Sequence, residues 1–312
     1  MIRPDPLNPC YRRSVFFWLE GCQTVSQKES RRKIMKSFLK ILTVPVALGT
    51  FGVLLWLENR RPLRNSVESK IVRSGRNLTV AGIAAVALQL FEQPVVNPLT
   101  EFVERKNVGL LKIVKLPKWM ETILAVVLMD YTLYLWHVLT HRLPILWRFH
   151  LVHHVDLDLD ASTAIRFHFG ELMISVLWRA AQIVVIGVSP TSFAAWQLFL
   201  FPSILFQHSN VRLPPDLDEK LSRFMVTPRL HGIHHSDVQT ETDSNWSSGL
   251  TVWDRLHGTF KNDVNQEEIV IGVPAYQNAD DVVLTRILSL PFETQKDDWL
   301  LGESSEAFKQ LR

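Results

Sequence analysis

The sequence predicts an all-α protein: an integral membrane bundle of four to five hydrophobic helices with a cytoplasmic, helical, histidine-rich cap. Three observations point there. Apolar runs long enough to enter a bilayer recur through the first two thirds of the 312 residues. Histidine is absent before position 137, then occurs eleven times between His137 and His257. Beyond residue 208 no run can span a membrane, and charged residues become frequent.

Taken in order, residues 1–36 form a basic lead ending in "RRKIMK", expected to be flexible. Cys10 and Cys22, the two cysteines of the chain, both lie in it. That count excludes a disulfide framework, a cysteine zinc site and an iron–sulfur cluster, and fits a reducing compartment. "ILTVPVALGTFGVLLWL" (41–57) is an uncharged run of 17 residues, near the lower limit for a span. It does not read as a signal peptide, since a long tail precedes it and no clear small-residue cleavage site follows.

"NLTVAGIAAVALQLF" (77–91) spans if the following "EQPVV" is included, with one polar interruption. "WMETILAVVLMDYTLYLWHVL" (119–139) is the third run and carries Asp130. "LMISVLWRAAQIVVIGV" (172–188) and "TSFAAWQLFLFPSILF" (191–206) form a fourth and fifth, joined at Ser189 and Pro190. Arg179 inside the fourth either snorkels, faces a polar cavity, or marks a pair that only dips into the membrane. Trp136 and Trp147 read as interfacial anchors.

If runs two and three form one hairpin and runs four and five another, the 58–76 linker shares a side with every histidine segment. That linker carries six Lys/Arg against two Glu, whereas the 189–190 turn opposite is uncharged. Positive-inside reasoning then places the histidines in the cytoplasm, although "RRKIMK" ahead of the first run pulls the other way. A net charge of +3 without a basic stripe gives no case for nucleic acid.

The histidines fall into pieces. "DYTLYLWHVLTH" supplies His137 and His141, "HLVHH" supplies His150, His153 and His154, and "HGIHH" supplies His231, His234 and His235. Residues i, i+3 and i+4 share one face of a helix, so each triple can present its imidazoles to one small volume. Eight imidazoles exceed the capacity of one first-row ion, and two metals are the economical reading. A lone histidine is more often structural than a ligand, but chance must produce all three pieces together. His208, after the fifth run, joins the candidate ligands; His168 is either a ligand or a supporting residue; His257 reads as structural.

Neutral imidazole suits iron, zinc, copper and nickel alike. The HExxH pattern is missing, since Leu151 and Gly232 follow His150 and His231, which removes the general base of a metallopeptidase. Asp130 lies two turns before His137, and its expected partner is the outer N–H of a ligating histidine. The competing reading is a bond to a neighbouring helix. Asp156, Asp158 and Asp160 alternate with apolar residues and read first as a solvated amphipathic segment, second as metal-site carboxylates.

With these pieces in hand, "DYTLYLWHVLTH", "LWRFHLVHHVDLDLDASTAIRFHFGE", "VTPRLHGIHHSD" and "WDRLHGTF" resemble the fatty acid hydroxylase/sterol desaturase superfamily. The resemblance covers about residues 77–290 and departs from the family pattern at Val138 and His257. It implies a membrane catalytic domain at 77–290, preceded by a first helix and basic linker (37–76) and followed by a polar tail (291–312). It implies two iron ions, with zinc as an alternative on isolation, held by His137, His141, His150, His153, His154, His231, His234 and His235. His208 and His168 are carried with them. It further implies O2-dependent hydroxylation or desaturation of a lipid drawn from the bilayer. Two electrons are then owed by a separate donor of ferredoxin or cytochrome b5 type. A membrane metal transporter and a non-catalytic relic are the competing classes; ligands at helix ends disfavour the first, and a complete set disfavours the second.

Overall fold

The computed structural model describes residue 39 and residues 41–297. The basic lead 1–36 and the polar tail beyond 297 lie outside the described residues. Helix α1 (Ile41–Arg60) is followed by a rod made of α2 (Lys70–Ala87), a π-turn (Leu88–Glu92) and α3 (Gln93–Lys106). Helix α4 (Lys118–Arg142) returns alongside it and α5 (Pro144–His154) follows. Then come the hairpin α6 (Phe169–Ile186) and α7 (Pro190–His208) and several short cap helices, among them α8 (Pro228–His234) and α9 (Val252–His257). Among the described residues pairing of strand type is limited to three isolated bridges, one of them Pro62 with Val211.

Among the described residues, four helical stretches are long and apolar enough to cross a membrane: Ile41–Arg60, Lys70–Ile113, Lys118–Arg142 and Phe169–Ile186. The fifth expected run also forms its helix, α7, which packs along α4. The polar interruption in the second run does not end that helix. Pro94 has no N–H to give the preceding turn, and the extra residue of the π-turn absorbs the misfit so that the rod continues.

The bundle is held distally by Val96, Val103, Ala125, Met129, Ile183, Phe193 and Trp196, which pack into one core. Helix α6 ends at Gly187 (φ 88°), and Gly109 (φ 105°) presses on it; a Cβ on Gly109 would lie 2.3 Å from the Gly187 Cα. Both positions need a left-handed backbone and the close approach leaves no room for a side chain. The α6–α7 turn thus comprises Gly187–Ser189, with Ser189 capping α7 by accepting from the Ser192 N–H at 3.1 Å. It meets the α3–α4 linker at the end of the bundle away from the histidines. That linker, residues 105–118, carries five Lys/Arg, so the charge contrast between the two faces is smaller than the 58–76 linker alone implies.

At the other end Pro144 makes the decisive joint. It forces Leu143 to be extended (φ −99°, ψ 116°), ending α4 and starting α5 one residue later. The last turn of α4, with His141, therefore abuts the helix that carries His150, His153 and His154.

The acidic segment after α5 differs from its expected solvated state. Asp156, Asp158 and Asp160 are buried, as is Arg73, which belongs to the first turns of α2 and not to a loose linker. The Arg73 Nη1 donates to Asp156 at 3.3 Å and to the Asp158 carbonyl at 3.1 Å, and Arg73 also pairs with Asp160. Asn77 donates to Asp156 at 2.9 Å, and Arg166 lies 3.7 Å from it. Arg166 Nε in turn donates to the Val152 carbonyl of α5 at 2.8 Å. Burial alone would raise the Asp156 pKa, but Arg166 and Arg73 hold it below the usual carboxylate range. The network locks α2 onto α5 from outside.

The cap is not a separate body either. Asp130 accepts from Trp253 Nε1 (2.7 Å) and the Leu250 N–H (3.1 Å), tying the α9 region to the middle of α4. Tyr131 and Tyr134 stack with His257 at 5.8 and 5.0 Å between ring centroids, which accounts for that histidine structurally.

Removing one member of a buried ion network strands the others. Asp156→Ala should destabilise the protein by about 3–5 kcal/mol, read as a fall in the thermal unfolding midpoint in detergent or nanodiscs. Because the folded pKa is depressed, this contribution is present at neutral pH and is lost as pH falls below the carboxylate range.

Candidate metal centre

Nine histidines converge where α4, α5, α7 and α8 meet, and they sort into two groups. His137, His141, His150, His154 and His234 form one; His153, His208, His231 and His235 form the other. Within each group one ring nitrogen per residue lies within 4.8 Å of all the others. The two triples do not each serve one volume, as their spacing suggests. In "HLVHH" the i and i+4 residues His150 and His154 go to the first group, while His153 crosses to the second. In "HGIHH" His231 and His235 go to the second, while His234 crosses to the first. The cause is helical geometry: positions i and i+4 are about 40° apart around the axis, and i+3 lies about 100° from i+4.

For four of the nine, the outer ring nitrogen settles which atom the imidazole offers. His137 Nδ1–H donates to the Trp246 carbonyl at 2.7 Å, His234 Nδ1–H to the Ser244 carbonyl at 2.9 Å and His208 Nδ1–H to the Ile204 carbonyl at 2.7 Å. His150 Nδ1 faces the Glu171 carboxylate at 3.1 Å. A carbonyl only accepts, so each such contact fixes the proton on Nδ1 and turns the Nε2 lone pair inward.

The residues present fit metal ions. Nε2 of His141, His150, His154 and His234 is buried without a hydrogen-bond partner in the described structure, a cost that a native core rarely bears uncompensated. In the second group His208 Nε2 lies 3.0 Å from Nε2 of both His153 and His231, and His235 Nε2 lies 3.2 Å from that of His231. Nitrogens about 3 Å apart match neighbouring ligands on one ion with metal–nitrogen bonds near 2.0–2.1 Å. Burial, reinforced by neighbouring imidazoles, pushes His153, His154, His231 and His235 well below 6.5 and His234 to about 3. They are neutral at pH 7, the form that binds metal.

Two sequence expectations are corrected. His168 joins neither group: its Nδ1 accepts from the Gly170 N–H at 3.0 Å, capping α6, and its Nε2 faces the Leu288 carbonyl at 3.2 Å. Both ring nitrogens are committed. Asp130 is bonded to no histidine: its Oδ2 accepts from Trp253 and Leu250, and two turns of α4, about 10 Å, separate it from His137. The carboxylate that does face one of the clustered histidines is Glu171, three residues after His168 in "IRFHFGE". Its signal was an acid in the first turn of a membrane helix. Asp254 also went unread. It accepts from the N–H groups of Trp246 (2.8 Å) and Ser247 (3.1 Å), fixing the carbonyl that His137 uses.

A cavity of about 530 Å³ opens from these histidines into the bundle. His137, His150, His153, His208 and His231 line one end, and its walls include Phe167, Leu133, Leu200 and the small face Ala81, Ala84 and Ala85 of α2. The aliphatic and aromatic lining favours a hydrocarbon chain over water.

The family model described as fatty acid hydroxylase matches residues 122–259. An ornithine lipid hydroxylase of Rhizobium tropici is 32% identical over 161 residues, covering 50% of this chain and 46% of that protein. The alkylglycerol monooxygenase of Homo sapiens is 29% identical over 160 residues, 50% of this chain and 33% of that protein. The cholesterol 25-hydroxylase of Mus musculus is 23% identical over 142 residues, 45% and 46% of the two chains. The chain therefore spans about half or less of the length of these relatives. No solved structure matches it.

His153→Ala should lower the metal bound per purified chain, whereas His168→Ala should leave it at the wild-type value; elemental analysis by mass spectrometry reads both. The pKa values of His153, His154, His231, His234 and His235 are lowered on folding, so chelator-stripped protein should hold its stability above pH 6.5 and lose it progressively as pH falls below that value. Unfolding midpoints measured between pH 8 and pH 5 check the sign.

Proposed function

We propose that this chain, which belongs to the fatty acid hydroxylase family through residues 122–259, hydroxylates an unactivated C–H bond of a membrane lipid with O2. The observation that carries this reading is the position of the histidines. Two groups of inward-facing imidazoles form the end wall of an apolar cavity set among membrane helices. A transporter would need ligands along a polar path; here the path is hydrocarbon-like and ends at the ligands.

His137, His141, His150, His154 and His234 would hold one iron ion, and His153, His208, His231 and His235 the other. Iron so bound supplies the O2 activation and C–H oxidation that no side chain can perform. The protein's part is positional. Glu171 and the carbonyls of Trp246, Ser244 and Ile204 keep the Nδ1 protons outward and the Nε2 lone pairs inward. The α4–α5 joint at Pro144 sets His141 against His150 and His154, with ring centroids 4.9 and 4.6 Å apart. Phe167 stacks on His153 at 4.5 Å and closes the site to water on that side. Leu133, Leu200 and the alanine face of α2 hold the lipid chain against the histidine end of the cavity.

The reaction balances as RH + O2 + two electrons + two protons → ROH + H2O. The electrons come from a separate donor of ferredoxin or cytochrome b5 type. The need for that donor favours the cytoplasm as the compartment that the histidine site faces. Desaturation by the same site is the second reading: there two hydrogens leave adjacent carbons and both oxygen atoms end as water.

Lipid extracts of expressing and non-expressing cells, compared by mass spectrometry, should show a lipid gaining one oxygen atom. Loss of two hydrogens would select desaturation, and no change with iron and donor present would count against the enzyme reading. Filling the cavity with Ala84→Trp should lower turnover at least about tenfold while metal content stays at the wild-type value.

A further inference from the structure

The cavity does not end in hydrocarbon. Away from the histidines it meets Glu92 of the π-turn, Gln93 of α3, Arg179 of α6 and Gln197 of α7. Arg179 Nη1 donates to Gln182 Oε1 at 2.7 Å, and its guanidinium lies 4.3 Å from the Trp196 ring centroid. Its Nε has no partner in the described structure, and Glu92 lies within electrostatic reach. A charged side chain halfway along a membrane helix is costly and is kept where it has a role. The described residues give this guanidinium a single hydrogen-bond acceptor for its five N–H donors.

The position gives a length. Arg179 lies eight residues beyond Glu171, the partner of His150, which is about 12 Å along α6. Gln197 lies eleven residues before His208 on α7, about 16 Å away. The polar end is thus separated from the histidine end by about 12–16 Å of apolar wall.

We propose that Arg179, with Glu92 and Gln197, is a subsite for a hydroxyl group of the lipid, so that the carbon oxidised lies about 12–16 Å from that oxygen. The substrate class follows from this: a mono-hydroxylated lipid or long-chain alcohol that inserts hydroxyl first. A hydroxyl can accept from the guanidinium and donate to Glu92 or to Gln197 Oε1 at once. A carboxylate could not donate to the oxygens of Glu92 or Gln197, and an alkane would leave Arg179 Nε without a partner. The inference rests on the lipid-oxidation reading for its reacting carbon, but the binding orientation can be read without turnover.

The test uses the full-length chain in nanodiscs with two photoreactive hexadecanols, one with a diazirine beside the hydroxyl-bearing carbon and one with it at the methyl end. The first should label Glu92 and the α7 peptide around Gln197; the second should label the segment around Phe167. Arg179→Met should cut labelling by the first probe about tenfold with metal content unchanged, and Arg179→Lys should restore part of it. Reversed labelling, undiminished labelling in Arg179→Met, or stronger labelling by the matching carboxylic acid or alkane probe would each overturn the subsite. Should Arg179→Met fail to fold, as judged by size exclusion and metal content, the order of labels in the wild type decides. If the labels fall as expected in a chain that oxidises no lipid, the subsite stands and the oxidation reading falls.

Discussion

The rest of the molecule depends on one demand: packing nine largely buried imidazoles side by side. Left to themselves those nitrogens would be hydrated, and each buried without a partner costs free energy that packing around it does not return. A pair of bound cations would offset that cost, because each would take up several lone pairs together. The scaffold must then keep four helices from relaxing outward, since a helix that turned by one position would carry its ligands to the wrong group. The division of each triple between the two groups makes this strict. His153 and His154 are neighbours in the chain but belong to different groups, so α5 has one permissible rotation.

The surrounding contacts read as answers to that demand. Pro144 leaves α4 and α5 a single-residue joint, and the Arg73, Arg166 and Asn77 network on Asp156 clamps α5 from its outer side. Asp254 holds the Trp246 loop, whose carbonyl then holds His137. Asp130 fastens the same region to α4 one level higher. None of these groups touches a lone pair of the site. They act through rigidity, and they explain why so many charges are buried around a membrane bundle.

Much of the site was legible in the chain. The HxxxH and HxxHH spacings pointed to eight of the nine histidines that cluster, and the place of His208 at the end of an apolar run pointed to the ninth. The errors share a cause. His168 looked like its neighbours by residue type, yet it lies where a helix begins, and the free N–H of Gly170 claims its ring. Asp130 was expected to find a histidine on its own helix, but its partners come from a segment some 120 residues later. The aspartates 156, 158 and 160 alternate as a solvated strand or loop would, and only α2 folding over them shows that they are buried.

By itself, then, the sequence determined the helices and the residues able to bind metal, because helical periodicity and side-chain chemistry are local properties. The tertiary structure alone decided how the ligands divide into two groups, which carboxylates support them, and that an apolar cavity links them to Arg179. Those facts depend on the rotation and contact of helices far apart in the chain, and no local pattern encodes them.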